Sequence, residues 1–254
     1  KQYIYFIMIY VGRCTHKKDG KKREVEYPEI NGYTQIIVMH YDNSEYYALS
    51  PYVLKDEHGR YMENLWQFTK CYKRVPKITI KHSKVLQWEH DEEIHLDDDN
   101  NVNDAYLLWR EKGMNNKYPI RYPVGFEHKN ECVYALAENE NGTINYDKLD
   151  YIQGRKKIYG PIYDKLVRKE PLFDELKERL NSGENLLIIE VDGPHGESLE
   201  YYKHKYGVND YFIENNAMRV TDENIKIMLN DDKHPFGHCY CLAMALLDME
   251  YDEY

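Results

Sequence analysis

Leu186-Leu187-Ile188-Ile189-Glu190-Val191-Asp192-Gly193-Pro194-His195-Gly196 is the stretch on which the fold turns. Leu186–Val191 reads as a continuous apolar strand of the kind buried on both faces of a sheet. Just before it, Pro171–Leu180 places Leu172, Phe173, Leu176 and Leu180 at helical spacing. Pro171 suits the first turn of that helix, and Asn181-Ser182-Gly183 ends it. A helix feeding a buried strand, which then runs into a glycine-bearing polar loop, is where active sites of α/β architecture collect. Glu190, Asp192 and His195 are therefore candidate site residues. The competing reading of the loop is a plain turn with His195 exposed.

Outward from this core the pattern keeps mixing the two element types. Tyr3–Val11 and Thr34–Tyr41 read as strands, with a hairpin tip at Asp19-Gly20 between them and a loop from Asp42. A helix is expected around Glu63, an extended piece over Lys77–Ile80, and a polar loop over Glu89–Asn103. Asp104 caps a short helix, Ala105–Glu111, and Cys132–Ala137 is a strand. Thr221 starts a helix reaching Asn230, and Leu242–Met249 is a closing apolar helix. With no repeat and no clean linker, the expectation is one α+β domain over residues 1–254, a mixed sheet flanked by helices, with an insertion around 77–150.

Apolar residues make up 42% and charged residues 31% of the 254, a soluble globular balance. Tyr3–Val11 is too short for a bilayer span and lacks a cleavage site, so no membrane partner is expected. The five cysteines have no framework spacing and read as reduced thiols of a cytoplasmic compartment. The 26 tyrosines fit an AT-rich genome, viral or bacterial, and carry no functional argument. A net charge of −10 argues against a general nucleic-acid coat. Two basic strips, Arg13–Arg23 and Lys70–Lys84, still suit one phosphate-bearing ligand, a short nucleic-acid segment, or simply a solvated surface.

Two further segments have the composition of a site. Glu63-Asn64-Leu65-Trp66-Gln67-Phe68-Thr69-Lys70 sets Glu63, Gln67 and Lys70 at i, i+4 and i+7, on one face if the segment is helical. That face offers an acid/base, an amide and a cation, with Trp66 available to stack on a base. An ordinary amphipathic helix with Glu63 and Lys70 in solvent is the alternative. His234-Pro235-Phe236-Gly237-His238 opens an apolar helix, where free N–H groups, Gly237 and His238 suit an anion or proton transfer. A capping turn with a buried histidine is its alternative. The run from His90 to Asp99, with Glu93 and His95, has ligand chemistry but no recognised spacing, so neither a metal nor any other cofactor is expected.

Leu49-Ser50-Pro51, Gly59 and Glu63-x-x-x-Gln67-x-x-Lys70 resemble the amino-terminal signature of the NADAR superfamily. Its later elements have counterparts in the same order: Phe173–Leu180, Ser182-Gly183, Leu187–Glu190 and Leu242–Met249. Asn64 stands where that pattern has histidine, and its Trp-Gly loop is absent unless Phe236-Gly237 stands in for it. The resemblance implies an N-glycosidase acting on a ribosylated base or an ADP-ribosylated nucleotide, free or on DNA or RNA. It implies ligand binding or acid/base chemistry for Glu63, the base edge for Gln67, and phosphate or ribose for Lys70. Glu190 and Asp192 become further charged participants, and Ser50, Trp66, His195, Gly237 and His238 ligand contacts. A binding module without chemistry, and a nucleic-acid-associated protein, remain the alternatives.

Overall fold

The computed structural model describes residues 8–19, 22–39, 44–82 and 85–254. Residues 3–7 of the expected first strand, the tip residues Gly20 and Lys21, and Asp42 and Asn43 lie outside the described residues. The side chains of Lys17, Lys18, Lys21 and Lys22 in the first basic strip do too. Helices and a mixed sheet make an α+β fold. The chain forms two compact units, Lys1–Ser50 with Tyr163–Tyr254, and Pro51–Ile162. Residues 77–150 lie wholly inside the second.

The first unit is built on four strands in the order Ala217–Arg219, Ile9–Arg13, Leu186–Glu190, Thr34–Ile37. The first pair is antiparallel, and the remaining pairs are parallel, with Val11 opposite Ile188 and Ile188 opposite Ile36. Leu186–Glu190 is buried at every residue, as its unbroken apolar run requires. The helix Pro171–Asn181 buries Phe173, Leu176 and Leu180, and Gly183 at φ +93° releases the chain from it. The last α-helix is His238–Leu246 rather than Leu242–Met249. It starts four residues early because all nine of its side chains are buried, His238 included, so no polar face marks its beginning.

The second unit packs short hairpins and a helix around an aromatic core. Phe68 meets Trp88 and Trp109 at ring distances of 4.8 and 4.6 Å, and Tyr72 and Tyr106 complete the cluster. Its main helix is Asp104–Met114, capped by Asn103 rather than Asp104: the Asn103 side chain accepts the Tyr106 N–H at 3.1 Å. The expected loop over Glu89–Asn103 is partly strand, Val85–His90 and Glu93–Ile94, and His90 and His95 are buried within it.

The two charge runs in this unit meet each other. Arg74 pairs with Glu92, and Lys77 with Asp91 at 3.3 Å. These exposed pairs stabilise little, on the order of 0–1 kcal/mol each. They do place anions beside the second basic strip, which weakens its case as a phosphate track. Among the described residues no helix is long and apolar enough to cross a membrane.

Candidate functional site

In the second unit the helix over Glu63–Lys70 is only Met62–Gln67. Lys70 begins the strand Lys70–Tyr72, which pairs with Cys132–Ala135, so the i+7 placement fails. The three polar groups still come together. The Gln67 amide nitrogen donates to Glu63 Oε1 at 3.0 Å, and Lys70 Nζ donates to Gln67 Oε1 at 2.8 Å. With one end donating and the other accepting, the two partners fix the amide's orientation.

Nor is this an amphipathic surface helix. Every residue of Met62–Gln67 is buried, Glu63 at 5% exposure. Burial pushes the Lys70 ammonium below its ordinary pKa, while Cys132 and Glu63 oppose the shift. Trp66 does not offer an open face for stacking. Lys70 Nζ sits 4.6 Å from its ring centroid, and Tyr159 lies against it at 5.5 Å. Asn64, in the signature's histidine position, does scaffold work: its side chain donates to Tyr118 O at 3.0 Å and accepts from the Ile120 N–H at 2.8 Å.

In the first unit the parallel strands Ile9–Arg13, Thr34–Ile37 and Leu186–Glu190 end at one edge, and the expected site loops gather there. Glu190 ends the central strand with its carboxylate 2.8 Å from His238 Nδ1. His238 Nε2 donates to Val38 O at 2.9 Å. A carbonyl only accepts, so that nitrogen carries a proton, and Nδ1 is left to face the carboxylate. The Cys239 N–H donates to Glu190 Oε1 at 3.2 Å, setting the carboxylate on the amino terminus of the last helix.

Burial by itself would raise the Glu190 pKa, but the His238 charge and these donors hold it below the ordinary range. Burial would likewise lower His238, and Glu190 holds it above its ordinary value instead. Gly237 is what lets the helix come this close. A Cβ there would lie 1.6 Å from Glu190 Oε1 and 3.0 Å from the Asp192 Cβ. Gly237→Ala is therefore expected to destabilise the protein by about 1–3 kcal/mol through overpacking, read as a lower urea midpoint.

The other histidines form a second polar group at this edge, part of which sequence reasoning missed. His234 sets Nδ1 2.6 Å from Asp231 Oδ2 and Nε2 2.9 Å from Ser198 Oγ. Asp231 is fully buried and also accepts from the hydroxyls of Tyr201 at 2.5 Å and Tyr202 at 3.1 Å. Burial would raise its pKa, but the Tyr201 hydroxyl, His234 and the Lys233 N–H hold it down to about 2. The His195 ring lies 5.2 Å from that of His234, and its Nδ1 meets Glu197 Oε1 at 3.1 Å. Arg13 donates to the same Glu197 oxygen at 2.7 Å, beside a groove lined by Cys14, His16, Val191 and Asn216.

Ser198 and Asp231 carried no motif that could have flagged them; only the Asp231-x-x-His234 spacing hints at the pair. Ser50 is buried at the end of the turn Tyr47–Leu49, its N–H on Tyr47 O at 3.0 Å. Thus Glu63, Gln67 and Lys70 form one group in the second unit. Glu190, Asp192, Gly237 and His238 lie together in the first, where His195 stands instead with His234 and Glu197. No protein-family model, curated protein or solved structure matches this chain.

Proposed function

We propose that the chain hydrolyses the N-glycosidic bond of a ribosylated base or ADP-ribosylated nucleotide, with Glu63 as the acid/base. The observation that carries this reading is the buried hydrogen-bonded row Glu63–Gln67–Lys70. A helix used only for packing would spend no carboxylate in its core, because desolvating one is costly unless function or pairing requires it. Departure of a base leaves an oxocarbenium-like ribose, which a carboxylate stabilises while an acid protonates the leaving nitrogen. Gln67 aims both neighbours, and Lys70, its charge weakened by burial, suits a proton donor or a phosphate contact.

The test is incubation with a guanine-ADP-ribosylated DNA oligonucleotide and with free ADP-ribosylated nucleotides, followed by mass spectrometry. Release of ADP-ribose supports the reading. Saturable binding without release moves it to a nucleotide-binding module, and neither result from any substrate removes it.

A second reading has its own observation. Ser198, His234 and Asp231 are joined in the order that activates a serine hydroxyl, with His234 Nε2 placed to take the proton and Nδ1 held by a buried carboxylate. This reading expects a fluorophosphonate probe to label Ser198, and Ser198→Ala to abolish the label. An unlabelled wild type would leave the three residues as a packing knot with the tyrosines.

A further inference from the structure

His90, Glu93 and His95 lie in the second unit, apart from the Glu63 row, and nothing in the proposed glycosidase chemistry uses them. His90 ends the strand Val85–His90 opposite Ile78, Glu93 starts the next short strand opposite Val75, and His95 follows it, so the three residues sit along one continued strand. Backbone bonds hold the arrangement on both sides: the His95 N–H donates to Lys73 O at 3.1 Å, and His95 O accepts from the Asn103 N–H at 3.1 Å. The imidazoles pack into the aromatic core. His90 stacks on Trp88 with the planes 6° apart, and His95 lies 5.2 Å from Trp109.

An aromatic core has no need of two imidazoles, and these two are poorly satisfied there. His95 is wholly buried, at 0% exposure, and neither of its ring nitrogens has a hydrogen-bond partner. His90 is 7% exposed, and its Nδ1 is unpartnered as well. Each unmade bond on a buried polar atom costs stability, so a fold that keeps three has a reason to keep them.

One of them, His95 Nε2, faces the same carboxylate as His90 Nε2. Glu93 Oε2 lies 3.4 Å from His90 Nε2 and 3.7 Å from His95 Nε2, and one ligand atom from each residue falls within 4.8 Å of the others. Tetrahedral zinc with bonds of about 2.0–2.1 Å sets its ligand atoms about 3.3 Å apart, close to the two spacings from the histidines to the carboxylate.

We propose that His90, Glu93 and His95 form a binding site for one divalent transition-metal ion of the zinc class. Two imidazole nitrogens and one carboxylate oxygen suit zinc and its neighbours far better than calcium or magnesium, which take mainly oxygen ligands. Three protein ligands leave the fourth position for water, on the side where Glu93 is 42% exposed. The ion ties the strand around Asp91 and Glu92 to the aromatic core and gives the buried His95 Nε2 a partner. The sequence expectation of no metal here rested on the absence of a familiar spacing and on a polar run read as loop; burial of both histidines removes the second reason.

The experiment is titration of the chelator-stripped, full-length protein with cobalt(II) chloride, followed by zinc chloride. Cobalt is expected to give the visible absorption bands of a four-coordinate site, saturating at one ion per chain and bleached by zinc. Glu93→Gln and His95→Gln are each expected to weaken cobalt binding at least about tenfold, by the scale of losses around metal sites, while Glu92→Gln binds as wild type. Should His95→Gln fail to fold, Glu93→Gln decides, because its side chain is partly in solvent. A wild type without the bands, or a Glu93→Gln variant that binds cobalt as tightly as wild type, overturns the proposal.

Discussion

Glu63→Gln is expected to lower release of ADP-ribose by about 10²–10⁴, the usual scale for removing a positioned acid/base, with circular dichroism unchanged. The substitution suits the test because it keeps the shape. A glutamine at 63 still presents an oxygen to the Gln67 amide, so the contact at 3.0 Å and the buried helix are preserved. Only the charge and the exchangeable proton go. If Glu63 acts in the chemical step, the loss falls on kcat and KM changes little; if it only binds ligand, KM rises and kcat is kept. Equal turnover by the variant and the wild type would remove Glu63 from the reaction. Lys70→Met then separates the two remaining roles of the ammonium: a phosphate contact weakens binding of ADP-ribosylated substrates above all, and a proton donor slows every substrate alike.

Much of the first unit is legible in the chain because its signals are local. Leu186–Glu190 has no polar residue before its end, and that pattern fits only a strand covered on both faces. Glycine and proline next to the strand mark the loop where Asp192 and His195 sit. The rest depends on contacts between distant residues. Ser198 and His234 are 36 positions apart, and no composition rule joins them.

The helix at Met62 stops at Gln67 because Lys70–Tyr72 is claimed by Cys132–Ala135, a pairing that helical periodicity cannot show. The run from Glu89 to Asn103 reads as solvent-facing because its residues are mostly charged. Yet the Trp88 and Trp109 rings draw His90 and His95 inside, and burial there is decided by aromatic neighbours rather than by local polarity. Of the two site-like histidines near the carboxyl end, His238 is found where the glycine before it pointed. His234 is engaged by an aspartate three residues back, whose burial only the tyrosines on Leu199–Tyr206 explain.

Glu190→Ala is expected to destabilise the protein by about 3–5 kcal/mol, the cost of leaving one member of a buried ion pair alone. The variant strips His238 of its partner and leaves the Cys239 N–H without an acceptor in a region closed to water. Glu190→Gln should be far milder. Its amide oxygen can accept from Cys239, and its amide nitrogen can donate to a neutral His238 whose Nε2 still donates to Val38 O.

The pH dependence separates the two. Glu190 is held below its ordinary 4.5, so its contribution is present above that value and disappears as pH falls through the lowered pKa. His238 is held above its ordinary 6.5, so its contribution is complete below that value and disappears as pH rises through the raised pKa. The wild-type pair thus stabilises most between about 4.5 and 6.5, where both charges stand in either state of the chain. Urea midpoints taken at pH 3, 5.5 and 9 should show the gap between wild type and Glu190→Gln widest at 5.5 and narrowing at both ends. A gap that stays constant across the three values would mean that the two groups share a neutral hydrogen bond, and that the strand end carries no ion pair.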